Sequence, residues 1–140
     1  MPSFEVVSFE PVKVGRLMSR GGVIGAKDAH MRLEELIPEV SETTSYGIYF
    51  KAFDIYYASV ERTLSLSTKE GRKELRVGAI PGGNYLSASL PDISHVPRIN
   101  PLFEEMEDEL GGNLDQRRPL VEVYHGSSEI TLLTPYRNKK

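Results

Sequence analysis

Glu122 stands between Val121 and Val123, a carboxylate inside a run that otherwise reads as a strand. Burying a carboxylate without a partner is costly, so such a group either keeps its proton or waits for a cation. A raised pKa would equally suit a general base that activates water. Strand alternation sets Tyr124 on the same face as Glu122 and puts Val121 and Val123 on the other. The same rule divides residues 84–90 into Tyr85, Ser87 and Ser89 against Leu86, Ala88 and Leu90. In the run from Ile55, it sets Tyr57, Ser59, Glu61 and Thr63 against Tyr56, Ala58, Val60 and Leu64. A surface of Tyr, Ser and Glu has what a semi-polar binding groove needs: flat rings with hydroxyls, and a carboxylate to pair with a cation. An antiparallel sheet that shows water one polar face gives the same alternation, and the pattern alone does not separate the two.

Other chemistries find less support. The chain has no cysteine, which excludes disulfides, cysteine-zinc sites and thiol catalysis and suits a reducing compartment. His30, His95 and His125 are scattered without metal-ligand spacing, so no metal is expected, and no cofactor motif is present. There is no Gly-x-Ser-x-Gly elbow. Gly21-Gly22-Val23-Ile24-Gly25 precedes a helix but lacks the Lys-Ser/Thr of a phosphate loop and reads as a plain loop. The Glu104, Glu105, Glu107, Asp108 and Glu109 run reads as the wet face of a helix. A net charge of −3, with basic clusters at Arg117-Arg118 and in the Arg137–Lys140 tail, argues against direct nucleic-acid binding. No apolar run approaches 18 residues and no secretory leader is evident, so the expected setting is the cytoplasm, with no membrane contact.

The length of 140 residues fits one domain spanning residues 1–140. Residues 12–18 read as a strand. A helix capped by Asp28 should run to about Val40, with Pro38 ready to kink or end it. Residues 46–52 and 55–67 read as strands, the second being the strongest in the chain. Residues 74–80 and 84–90 follow as a strand pair or one bent strand around Pro81-Gly82-Gly83. A second helix over 101–110 carries Phe103, Met106 and Leu110 on one face and stops at Gly111-Gly112. Strands at 119–124 and 129–135 close the chain around a hairpin loop, His125 to Ser128. The two halves thus read alike, each strand, helix, strand, strand. The fold expected is α+β: two βαββ repeats with pseudo-twofold symmetry, an antiparallel sheet, two helices and a central groove. The apolar strand faces should lie beneath the helices, and the groove on the opposite face.

Three segments carry a family resemblance. Ala79-Ile80-Pro81-Gly82-Gly83-Asn84-Tyr85-Leu86-Ser87-Ala88 resembles the Gly-Gly-x-Tyr strand of GyrI-like proteins. Leu120-Val121-Glu122-Val123-Tyr124 resembles their Glu-x-Tyr strand, and Ile130-Thr131-Leu132-Leu133-Thr134-Pro135 their closing strand. The family includes gyrase inhibitory proteins, AraC- and MerR-type effector-binding domains and free-standing small-molecule binders, on a SOUL-like fold. The resemblance implies an eight-stranded sheet with two helices and a groove for lipophilic, aromatic or cationic compounds, as in multidrug-binding members. It makes Glu122 the groove glutamate and Tyr49, Tyr57, Tyr85 and Tyr124 the groove aromatics. Tryptophan, which many relatives carry near the second helix, is absent. The resemblance leaves three roles open. A stand-alone binder leads, ahead of a hydrolase of cyclopropanoid toxins with Glu122 as general base. The third is a protein-interaction module whose partner is DNA gyrase or a second copy in a homodimer.

Overall fold

The computed structural model describes residues 4–126 and 128–137. Along the chain run β1 (Glu5–Phe9), β2 (Val12–Met18), a 3-10 turn (Gly22–Gly25), α1 (Ala26–Leu36), β3 (Thr44–Phe50) and β4 (Ile55–Glu61). Two short helices follow, α2 (Arg62–Ser65) and α3 (Lys69–Glu74), then β5 (Arg76–Ile80) and β6 (Gly83–Leu90). A 3-10 segment (Ile93–Arg98) leads into α4 (Ile99–Leu110), and β7 (Leu120–His125) and β8 (Ile130–Pro135) complete the fold. No described helix is long and apolar enough to cross a membrane.

Local chemistry explains where the elements depart from expectation. The first helix ends at Leu36 rather than near Val40, because Pro38 keeps Ile37 out of helical geometry, at φ −137° and ψ 86°. Its cap position is Gly25, and Asp28 instead lies in the first turn, where a negative charge suits the helix dipole. The strand expected over 55–67 stops at Glu61. Beyond it the Ser65 hydroxyl donates to Arg62 O and the Ser67 hydroxyl to Leu64 O, and Thr68 Oγ1 accepts from Gly71 N to cap α3. The stop at Gly111 holds, with φ at 52°. The residues around Pro81 form neither a hairpin nor one bent strand, since β5 and β6 are not neighbours in the sheet. β1 is a strand that the residue pattern did not signal.

The eight strands form one antiparallel sheet in the order β1-β6-β8-β7-β3-β4-β2-β5. The repeat is plain in this order. One half sets β2, β4 and β3 side by side, the other β6, β8 and β7, and the halves join through β3 and β7. The outer strands are exchanged: β1 pairs with β6, and β5 pairs with β2. Both helices lie on one face. Beneath α4, Leu102, Phe103 and Met106 pack with Leu86, Ala88 and Leu90 of β6 and Leu132 of β8. Beneath α1, Leu33, Leu36 and Ile37 pack with Ala58 and Val60 of β4. The sheet curls, and its other face encloses a third cluster that includes Val14, Ile48, Ile80, Val121, Val123 and Leu133. That face is therefore not the open polar surface expected. The adjacent apolar pairs Leu120-Val121 and Leu132-Leu133 are buried toward both sides at once, as strands covered on both faces require.

Candidate functional site

At the seam between the halves, Gly47 of β3 pairs directly with Glu122 of β7. Glycine inside a strand marks a close approach of something else, and here it is the site itself. A Cβ added at Gly47 would overlap the Tyr56 hydroxyl and Glu122 Oε1. The missing side chain thus makes room for a polar cluster on the helix-bearing face.

Glu122 is buried, with 7% of its surface exposed. Its Oε1 accepts from the Tyr56 hydroxyl at 2.6 Å and from the Tyr124 hydroxyl at 2.7 Å. His30, on α1, places Nε2 2.7 Å from the Tyr56 oxygen. Since Tyr56 gives its proton to the carboxylate, Nε2 is the protonated nitrogen and donates to Tyr56. The His30 ring also stands edge-on to Tyr124, 5.1 Å between centroids. The result is a polarised chain running from His30 through Tyr56 to Glu122, with Tyr124 closing on the same oxygen.

Burial sets the ionisation of this cluster. It pushes the Glu122 carboxyl up, although both phenol bonds favour the charged form and oppose it. Tyr56 is raised well above the usual phenol range by burial and then by the Glu122 charge. Tyr124 is raised for the same two reasons in the same order. Desolvation lowers His30 to about 4, so it is neutral at physiological pH. In the unfolded chain it would titrate near the ordinary value of 6.5. Native His30 thus binds fewer protons, and its contribution is complete above pH 6.5 and lost as pH falls toward 4. A His30→Gln variant should lack this acid sensitivity. Unfolding in urea at stepped pH should show the wild type losing up to about 3 kcal/mol relative to the variant across that window. Parallel pH profiles would show that His30 is not buried neutral.

The cluster forms the floor of a cavity of about 460 Å³ between α1 and the Ile93–Arg98 segment leading into α4. That volume suits a drug-sized molecule. Val23, Met31, Ile93 and Val96 rim it with apolar surface, while Lys27 and Glu34 flank it along α1. Among the described residues no group of His, Asp and Glu could hold a metal ion.

The sequence-predicted residues separate clearly. Glu122 and Tyr124 line this cavity. Tyr49 does not: its ring stands 6.2 Å from Tyr56, but its hydroxyl donates to Asp54 at 2.8 Å. It lines a second cavity instead, with Lys51, Glu107 and Arg118. Tyr57 lies on the opposite face of the sheet, where the Arg16 guanidinium sits 4.1 Å from its ring centre. Tyr85 is also on that face, fully buried, with its hydroxyl donating to Pro81 O at 2.6 Å. The groove is on the helix side, so alternation sends Tyr56 into it and turns Tyr57 away. Tyr56 and His30 were not anticipated. Gly47, unexplained inside an apolar strand, was the available signal for the first. A lone histidine one turn before Leu33 on α1 was the signal for the second.

Removing the Tyr56 hydroxyl should leave Glu122 with a single donor. Tyr56→Phe is expected to cost about 1–2 kcal/mol in chemical denaturation. It should also raise the carboxyl pKa further, read by NMR of the side-chain carboxyl carbon; an unmoved titration would show that the bond does not tune the acid.

No family model and no curated protein matches the chain. Solved structures do. SAV2435 bound to tetraphenylphosphonium superposes with a TM-score of 0.66 at 7% identity, over 97% of this chain and 94% of that one. An integron cassette protein from the mobile metagenome of Vibrio cholerae gives 0.66 at 14% identity, over 96% and 95%. A hydrolase from Listeria innocua gives 0.54 at 12% identity, over 95% and 90%. The chain shares their fold. At such identities, function has to be argued from the site's own chemistry.

Proposed function

We propose that this protein is a small-molecule binder of the GyrI-like type that takes a lipophilic cation into the cavity between α1 and the α4 lead-in, with Glu122 as counter-charge. The observation that carries the reading is a carboxylate buried at the floor of an apolar-rimmed cavity, held by two phenols and paired with no cation among the described residues. An entering cation supplies the missing partner, and the partly exposed Tyr124 ring adds flat, polarisable area. The structural neighbour bound to tetraphenylphosphonium supports the same reading by its ligand class. Of the tyrosines expected in the groove, Tyr124 is retained for this role, while Tyr56 holds Glu122 in place; Tyr49, Tyr57 and Tyr85 lie outside this cavity.

Calorimetric titration with tetraphenylphosphonium, against neutral triphenylphosphine oxide, tests it. The cation should bind in the micromolar range and the neutral compound at least about tenfold more weakly. Affinity should fall as pH drops through the raised Glu122 pKa, because protonation removes the counter-charge. Equal affinity for the two compounds would sink the proposal.

A second reading, a hydrolase with Glu122 as general base, draws on the same raised carboxyl. Turnover of a cyclopropane-bearing substrate that is lost in Glu122→Gln would favour it over simple binding.

A further inference from the structure

The hydrogen bonds on the cavity floor have a direction. The His30 Nε2–H is spent on Tyr56, and the Tyr56 and Tyr124 hydroxyl protons are spent on Glu122 Oε1. What the cluster leaves over is acceptor capacity. Glu122 Oε2 and His30 Nδ1 make no hydrogen bond among the described residues. Because Nε2 carries the ring proton, Nδ1 holds a lone pair. Ser45, which also lines the cavity and pairs with Tyr124 across β3 and β7, has a hydroxyl oxygen likewise without a partner among the described residues. Only Arg16 Nε and Ser59 Oγ are both unpartnered and sealed from solvent among described side chains. None of the three free atoms at the floor belongs to that sealed set, and all three residues line the cavity.

A quaternary cation such as tetraphenylphosphonium satisfies the charge of Glu122 but offers no hydrogen to any of these acceptors. A protonated amine offers both. We propose that the site is built for a lipophilic ammonium carrying N–H groups, which donate to Glu122 Oε2, His30 Nδ1 and Ser45 Oγ while the apolar body rests against the rim. This rests on the cation-binding reading above and narrows its ligand class. His30 and Ser45 become specificity-determining residues: they distinguish an N–H cation from a fully substituted one of the same charge. An acceptor left unmet in a desolvated site weakens the wrong ligand as much as a bond made strengthens the right one.

The test compares biphenyl-4-ylmethylammonium with its N,N,N-trimethyl analogue, by calorimetry at pH 7.5, on the wild type, His30→Phe and Ser45→Ala. The wild type should prefer the primary ammonium by about tenfold or more. That preference should shrink severalfold in each variant, through weaker binding of the primary ammonium with little change for the trimethyl compound. Size alone would also handicap the trimethyl compound, but it would leave the ratio equal in all three proteins. A ratio near or below unity in the wild type, or one unchanged in both variants, overturns the assignment even where tetraphenylphosphonium binds. If neither ammonium nor the phosphonium binds, this assignment and the cation-binding reading fall together. Melting curves of Ser45→Ala, a small deletion at a cavity wall, guard against a loss caused by misfolding.

Discussion

Replacing Glu122 by Gln is expected to cut the affinity for tetraphenylphosphonium by about 30-fold or more and, in the same protein, to raise the melting temperature without ligand. Both effects come from one carboxylate. Glutamine keeps an oxygen that accepts from Tyr56 and Tyr124, so the geometry of the cluster survives. It removes the buried charge, and with it the attraction for a cation. The sign of the stability effect follows from the direction of the pKa shift. Native Glu122 holds its proton to higher pH than the unfolded chain does, so the neutral form favours folding at acid pH. That advantage is lost as pH rises through the native pKa, and above it the charge is a net burden on the fold. The gain from glutamine should therefore grow with pH, reaching about 3 °C or more near neutrality, and vanish below the ordinary value of 4.5. Paired calorimetric scans and titrations at several pH values measure both arms. A variant that melts lower at neutral pH and still binds the phosphonium would show Glu122 to be structural.

The second large effect is expected at a residue with no side chain. Gly47→Ala places a methyl group where the Tyr56 hydroxyl and Glu122 Oε1 now lie. The strand cannot yield easily, because β3 is hydrogen-bonded on both sides, to β4 and to β7. The phenol and the carboxylate must move instead, breaking the bond between them. Overpacking costs about 1–3 kcal/mol and the lost buried hydrogen bond adds about 1 kcal/mol. Urea denaturation should show a loss in that combined range, and phosphonium binding should fall by at least about tenfold even where the variant is fully folded. Wild-type stability and affinity in this variant would mean that the seam is looser than the geometry shows.

The sequence made the repeat and the second half legible for physical reasons. Glu122 and Tyr124 share a strand face, and Phe103, Met106 and Leu110 share a helix face; alternation and helical period carry that information. Which face meets the helices is another matter. It depends on the curl of the sheet, and no local pattern encodes the curl. Alternation puts Tyr56 with Ala58 and Val60 beneath the helices, where it is indeed buried, but does not show that its hydroxyl reaches Glu122; Tyr57, expected in the groove, lies on the other face. Tyr85 went astray for the same reason. Its ring looks like a recognition group in sequence, but Phe9 and Arg118 pack against it, and both come from distant parts of the chain. β1 escaped notice because it is a short edge strand with exposed residues, and its partner β6 lies some eighty positions away.

The exchange of outer strands bears on how the molecule comes together. Each half lends its first strand to the other, so the two repeats are latched like clasped hands rather than laid side by side. The ribosome delivers β6 and β8 long after β1, and β1 has no sheet to join until they arrive. Such distant pairings make folding slow and cooperative. Neither half should be a stable body when expressed alone, and a nick in the loop between Ile80 and Gly83 should leave two pieces that hold together, the second gripping β1 of the first and the two joined again through β3 and β7.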